Sequence, residues 1–190
     1  MKPHHACNDQ LCKNCHILEQ EIVALREELA EMKQHAYHDV LTGISNRRFF
    51  VESLENRVER CRRYGDNCAV LFLDVDNLKA INDEHGHAAG DALLVRLAEI
   101  LKANIRTTDV VARLGGDEFG LLLDNLNGDQ VADKIDFLLQ QFGTEKYVHE
   151  DKKLPFGASI GYCFVGPQDT TGGLMSRADA AMYRAKDKSR

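Results

Sequence analysis

Val110-Val111-Ala112-Arg113-Leu114-Gly115-Gly116-Asp117-Glu118-Phe119-Gly120-Leu121-Leu122-Leu123 decides the fold of this 190-residue chain. Two apolar, β-prone runs flank Gly-Gly-Asp-Glu, a pattern that predicts a hairpin closed by a tight turn. Glycine suits that turn because a residue without Cβ takes positive φ freely. Two adjacent carboxylates then sit at the tip, with no neighbouring lysine in sequence. Paired acids held by rigid strands are what a divalent cation carrying a phosphate ligand needs.

Working outward, Asn67-Cys68-Ala69-Val70-Leu71-Phe72-Leu73-Asp74-Val75-Asp76 is a continuous apolar run bounded by polar residues. It predicts a strand buried on both faces, with Asp74 at its carboxyl end, where α/β folds place ligands. Directly after it, residues 77–91 combine charged and amide side chains with Gly86 and Gly90. If this strand and the hairpin share a sheet, Asp74 and Asp117 converge on a metal, and Lys79 reaches its phosphates.

These motifs resemble the GGDEF domain of the diguanylate cyclase family. The signature Gly115-Gly116-Asp117-Glu118-Phe119 is intact, as is Asp74-x-Asp76-x-x-Lys79-x-x-Asn82-Asp83 followed by Gly86-His87-x-x-Gly90-Asp91. Asp39-Val40-Leu41-Thr42-Gly43-Ile44-x-Asn46-Arg47-Arg48 is similar to the family's opening motif, and Ala178-Asp179-x-Ala181-Met182-Tyr183-x-Ala185-Lys186 to its last helix. The resemblance runs from about Asp39 to the end and depends on the motifs standing in this order.

The resemblance implies a cyclase that condenses two GTP into cyclic di-GMP with release of two pyrophosphates, working as a homodimer. It implies Mg²⁺, or Mn²⁺, on Asp74, Asp117, Glu118 and the Val75 carbonyl, with Asp117 and Glu118 assisting catalysis. Asn82 and Asp91 would read guanine, His87 would lie near the nucleotide, and Lys79, Lys186 and Arg190 would meet phosphates. Arg106-Thr107-Thr108-Asp109 matches an RxxD site at which bound cyclic di-GMP inhibits, through Arg106 and Asp109. Leu78 stands where the family most often has Phe, which changes packing volume and removes no polar group. The competing readings are a catalytically silent cyclic di-GMP receptor and a metal-responsive interaction module.

The remainder frames this core. A hydrophobic fraction of 44% leaves material for one globular core plus an extension. The net charge of −6 argues against a nucleic-acid polymer as partner. No run approaches the roughly 18 apolar residues of a membrane helix and no secretory signal opens the chain, so the expectation is a cytoplasmic protein without membrane contact. Residues 1–16 hold Cys7, Cys12, Cys15 and His16. The Cys12-x-x-Cys15 spacing fits Zn²⁺, Cys12-Lys13-Asn14-Cys15-His16 has the form of a haem attachment site, and a plain thiol tail is the third reading. Cys61, Cys68 and Cys163 read as small buried hydrophobes.

Over residues 17–38, Leu18, Ile22, Leu25, Leu29, Met32 and Ala36 alternate by four and three, a coiled-coil seam that favours a parallel dimer. From 39 to 190 the catalytic domain is expected, with helices over 46–63, 90–105, 129–142 and 172–188 and further strands over 69–75 and 157–165. Interleaved helices and strands around a central hairpin predict an α/β (α+β) sandwich with a mixed, largely antiparallel sheet flanked by helices. The resemblance implies the same, a ferredoxin-like palm of the adenylate cyclase kind.

Overall fold

The computed structural model describes residues 5–144, 147–149, 152–154 and 157–188. The chain divides into two compact units, Met1–Ala36 and Tyr37–Arg190. The first is the body of one long helix, α1 (His5–Tyr37), which includes residues 5–16 of the Cys/His segment. Along it Leu18, Ile22, Val23, Leu25, Leu29 and Met32 are exposed, Leu25 by 63%. No helix among the described residues is long and apolar enough to cross a membrane.

In the second unit the order is β1 (Ser45–Asn46), α2 (Arg47–Tyr64), β2 (Cys68–Val75), α3 (Leu78–His85), α4 (His87–Ala103), β3 (Val110–Gly115) and β4 (Glu118–Asp124). Then come α5 (Gly128–Thr144), β5 (Tyr147–His149), β6 (Lys152–Leu154), β7 (Ala158–Phe164) and α6 (Thr171–Lys188). The main sheet has the order β1-β3-β4-β2-β7; β1 pairs in parallel with β3 and every other pairing is antiparallel. Strands β5 and β6 form a separate two-stranded ribbon.

The continuous apolar run of β2 has a direct cause: all eight of its residues are buried, and successive side chains serve opposite cores. Ala69, Leu71, Leu73 and Val75 join Phe119, Leu121 and Leu123 against Leu93, Leu97 and Leu101 of α4 and Val131, Leu138 and Phe142 of α5. Val70 and Phe72 join Leu114 and Leu122 against Phe50, Leu54 and Val58 of α2 and Leu174, Ala178 and Met182 of α6. Two helices thus cover each sheet face, which is the sandwich expected from the sequence.

Local chemistry sets the helix ends. The Asn46 side chain accepts the Phe49 N–H at 3.1 Å and starts α2, and Gly65 at φ 71° ends it by donating to the Cys61 carbonyl. Helix α6 lies so close on β7 that a Cβ at Gly161 would come within 2.0 Å of the Met182 nitrogen. The sequence reading has no counterpart for the short helix α3, the two-residue strand β1 or the β5–β6 ribbon. Helix α4 also begins three residues earlier than the expected 90–105. Helix α3, strand β1 and the two strands of the ribbon are each too short to show a period of their own.

Candidate active site

Strand β2 and the β3–β4 hairpin are neighbours in the sheet, and their register sets Asp74 opposite Glu118. The ladder ends with the Val75 N–H donating to the Asp117 carbonyl at 3.1 Å. This bond ties the hairpin tip to the end of β2 and sets Asp74 beside the turn that carries Asp117 and Glu118. The tip takes its shape from Gly115 at φ 149° and Gly116 at φ 53°, conformations that side chains with a Cβ rarely adopt. Between Arg113 and Gly115 the ladder register shifts.

Asp74 is 8% exposed, and the Lys186 ammonium on α6 donates to its Oδ1. Burial lifts the Asp74 carboxyl above its ordinary value, the Lys186 hydrogen bond opposes this, and the charges of Asp117 and Asp76 add to the rise. Glu118 is lifted too, first by burial, then by Asp117, Asp179 and Asp74, with Arg47 pulling the other way. Several acids crowded where their charge is poorly solvated form a site that gains from a cation.

An open cleft of about 480 Å³ lies over this cluster, lined by Val75, Asp76, Leu78, Lys79, Asp117 and Lys186 among others. Lys79 and Lys186 put two cationic side chains on the walls that the acidic floor faces. Asp76 is fixed below: its N–H donates to the Gly157 carbonyl at 2.9 Å and its Oδ1 accepts the Ser159 hydroxyl at 3.0 Å. Among the described residues no three or more His, Cys, Asp or Glu side chains form a metal cage. The donors at hand, the Asp74 and Asp117 carboxylates and backbone carbonyl oxygen, are hard oxygens. Such a set fits Mg²⁺, which keeps few protein ligands and completes its shell with phosphate and water.

Asn82 on α3 and Asp91 on α4 belong to a helix pair beside the cleft and are not among its lining residues. The Asn82 Oδ1 is buried without a hydrogen-bond partner among the described residues. It presses on Gly90, where a Cβ would lie 2.0 Å from it. A buried orphan acceptor costs free energy until something donates to it. His87 and Asp91 are exposed on the first turns of α4. Arg190 lies outside the described residues.

Arg106 and Asp109 sit between α4 and β3, at the far end of the strand from the hairpin tip. The Asp109 carboxylate accepts the Arg106 N–H at 3.0 Å and the Asp124 N–H at 3.2 Å, while the Arg106 side chain is exposed. Hollows of about 560 and 380 Å³ flank this loop. Cys15 and His16 are exposed on α1, and the side chains of Cys7 and Cys12 lie outside the described residues. No zinc cage exists among the described residues there.

The sequence reading assigned no role to Arg113 or Asp39, although both lie in quoted motifs. Arg113 donates from Nε and Nη2 to the Gly116 carbonyl at 3.0 and 2.8 Å, and from Nη1 to Asp39 Oδ1 at 3.3 Å. The available signal was a lone guanidinium inside an otherwise apolar strand.

A family model described as diguanylate cyclase, GGDEF domain, matches residues 36–190. MucR of Pseudomonas aeruginosa, named a bifunctional diguanylate cyclase/cyclic di-GMP phosphodiesterase, is 40% identical over 161 residues, 84% of this chain and 23% of MucR. The diguanylate cyclase TpbB of the same organism is 37% identical over 168 residues, 87% of this chain and 39% of TpbB. The chain therefore spans less than two fifths of the length of these relatives. The coiled coil and GGDEF domain of DgcB from Caulobacter crescentus, in complex with c-di-GMP, matches with a TM-score of 0.87 over 95% of this chain and 96% of that one. Their identity is 24%, so that likeness is one of fold. On the intact signature, the matching model and these relatives, the chain belongs to the GGDEF diguanylate cyclase domain family.

Proposed function

We propose that the protein is a diguanylate cyclase: it joins two GTP into cyclic di-GMP and releases two pyrophosphates. The observation that carries the reading is the convergence of Asp74 and Asp117 beneath a cleft walled by Lys79 and Lys186. Asp74, Asp117, Glu118 and the Val75 carbonyl are the groups that would hold Mg²⁺ or Mn²⁺. Bound there, the ion neutralises triphosphate charge and lowers the pKa of a coordinated hydroxyl.

The chain's own groups supply the rest. Lys79 and Lys186 meet phosphate oxygens as point charges, and Arg190 matches a further phosphate position. The buried Asn82 acceptor and the Asp91 carboxylate suit the donor edge of guanine, with His87 at the mouth. Asp117 and Glu118 assist removal of the proton from the attacking 3′-hydroxyl.

Each domain would hold one GTP, so two must face each other. The exposed apolar row of α1, from Leu18 to Met32, supports a parallel coiled-coil homodimer. Product binding at Arg106 and Asp109 would lower the rate from a place remote from the hairpin tip. Zn²⁺ on Cys7, Cys12, Cys15 and His16 belongs to the same proposal and rests on spacing alone.

Incubating the purified protein with GTP and Mg²⁺ and separating the nucleotides by chromatography tests the reading. Cyclic di-GMP and pyrophosphate in a ratio of about one to two are expected from the condensation chemistry. Intact GTP alongside tight cyclic di-GMP binding would make the protein a receptor instead.

A further inference from the structure

The hairpin tip that carries Asp117 and Glu118 is built from the most permissive backbone available. Gly115 and Gly116 both lie at positive φ, and glycine loses more freedom than any other residue when it is fixed. A tip of this kind does not define its own geometry. Something outside it must hold the two peptide planes on which the direction of the carboxylates depends.

One plane is held by β2, through the Val75 N–H on the Asp117 carbonyl. The other is held by Arg113. Its Nε and Nη2 both donate to the Gly116 carbonyl, at 3.0 and 2.8 Å. The register shift between Arg113 and Gly115 leaves the residue just ahead of the turn out of regular pairing. The guanidinium is only 14% exposed and needs a partner for its charge, which it finds in Asp39.

Asp39 is itself immobilised. Its Oδ1 accepts the Thr42 N–H at 2.9 Å and the Thr42 hydroxyl at 2.7 Å in addition to Arg113. Its backbone N–H donates to the Ile44 carbonyl and its carbonyl accepts the Gly43 N–H, each at 2.9 Å, closing a small loop. Residues 39–44 therefore form a rigid anchor that begins two residues after the end of α1 at Tyr37.

We propose that Arg113 is a positioning residue: it grips the Gly116 carbonyl from an anchor at Asp39 and thereby sets where Asp117 and Glu118 point. The proposal rests on the cyclase reading for its consequence in rate, and on geometry alone for its effect on the turn. Only arginine meets the requirement, because three donors in one plane serve two acceptors at once. Lysine offers a single ammonium that cannot hold both.

The test uses the full chain with Arg113→Ala, Arg113→Lys, Asp39→Ala and the double Arg113→Ala/Asp39→Ala. Arg177→Ala is the structural control, since it breaks an ion pair with Asp169 that touches no proposed active-site group. Residue-resolved amide exchange by NMR reads the turn without any nucleotide. In Arg113→Ala the Val75 amide is expected to exchange roughly tenfold faster or more, with Leu71 and Leu73 unchanged. In the cyclase assay kcat should fall about 10- to 100-fold and the half-saturating Mg²⁺ concentration should rise, as for a small misplacement of reacting groups. Arg113→Lys should fail to restore either quantity. The double variant should be no slower than Arg113→Ala, because both changes open one clamp. Arg177→Ala should lower Tm and leave the Mg²⁺ requirement in place. Unchanged Val75 exchange in Arg113→Ala overturns the proposal, as does full rescue by lysine. If the parent makes no cyclic di-GMP, the cyclase reading fails, and the exchange experiment still decides whether Arg113 holds the turn.

Discussion

Gly161→Ala adds a single methyl group at the point where fold and site are most tightly joined. That methyl would lie 2.0 Å from the Met182 nitrogen, 2.2 Å from the Ala181 carbonyl carbon and 2.5 Å from the Met182 Cα. All three are backbone atoms of α6, so no rotamer change relieves the clash. Ordinary contact begins near 3.4 Å, which requires α6 to move off β7 by about 1.4 Å. Overpacking of this kind costs about 1–3 kcal/mol, and the rigid partner puts it at the upper end. Loss of glycine freedom in the unfolded chain returns about 0.4–1 kcal/mol. A net cost of about 2 kcal/mol lowers Tm by roughly 4–8 °C in a domain of this size.

The same displacement reaches the chemistry. Lys186 stands one helical turn beyond Met182 and bonds Asp74, so moving α6 withdraws the ammonium from the site. A misplacement near 1 Å costs on the order of 10²-fold in rate. Thermal melting by circular dichroism and pyrophosphate release at saturating GTP measure the two effects. Gly120→Ala is the comparison: its methyl meets the Phe50 ring at 2.6 Å, a side chain that can tilt. It should lose stability with a smaller loss of rate. If Gly161→Ala keeps the parental Tm and rate, the close seating of α6 is not what places Lys186.

Asp74→Asn and Asp117→Asn should each abolish cyclic di-GMP formation while leaving the circular dichroism spectrum intact; an active Asp117→Asn variant refutes the site. For Asp74 the sign of the stability effect follows from its raised folded-state pKa, which burial causes against the pull of Lys186. The native state binds that proton more tightly than the unfolded chain, so metal-free protein gains stability as pH falls through the raised value and bears the full cost above it. Asp74→Asn in EDTA at pH 7 should therefore melt no lower than the parent, and added Mg²⁺ should raise the Tm of the parent alone; a markedly lower Tm of the variant contradicts the argument. Arg106→Ala should weaken inhibition by cyclic di-GMP at an unchanged initial rate, whereas Asp109→Ala should also cost about 1 kcal/mol, since its carboxylate holds two backbone N–H groups; equal inhibition constants for Arg106→Ala and parent would make the RxxD match accidental. Deleting residues 1–32 should make the specific rate depend steeply on protein concentration, because a coiled coil supplies an effective concentration of roughly millimolar; a concentration-independent rate removes α1 as the dimer element. Replacing Cys12 and Cys15 by Ser should lower bound zinc by elemental analysis, and unchanged metal content would leave the segment an ordinary end.

What the sequence disclosed and what it hid divide along a physical line. The two-faced burial of β2 was visible because an uninterrupted apolar run of that length is stable only where both strand faces are shielded from water. The hairpin was visible because Gly115 and Gly116 punctuate two such runs, and both take positive φ. Helix α3 was not, since eight residues carrying Lys79, Asp83 and Glu84 bury only Ile81 and leave no apolar stripe. Its start is equally silent: Asn77 takes φ 61° and gives no side-chain cap. Strand β1 is two residues long, and its pairing with Ala112 and Arg113 is a long-range fact that no local pattern encodes.

The acids of the site could be read from the chain, and the ion pairs that balance them could not, for one reason. Asp74 and Asp117 flank strand ends, so short motifs reveal them. Long-range pairs stand behind them: Lys186 is 112 residues from Asp74, and Arg113, behind the turn, is 74 residues from the Asp39 that anchors it. The same holds at the opposite end of the sheet, where Arg57 pairs with Asp124 across 67 residues. The Arg57–Asp124 and Arg113–Asp39 pairs are only partly exposed, so removing one member would leave a poorly solvated charge and cost more than a surface pair contributes. For Asp74 the Lys186 hydrogen bond offsets part of the burial that disfavours its ionised form. Helix α6 delivers the cation that β2 requires, and the loop after α1 delivers the anion that the hairpin arginine requires.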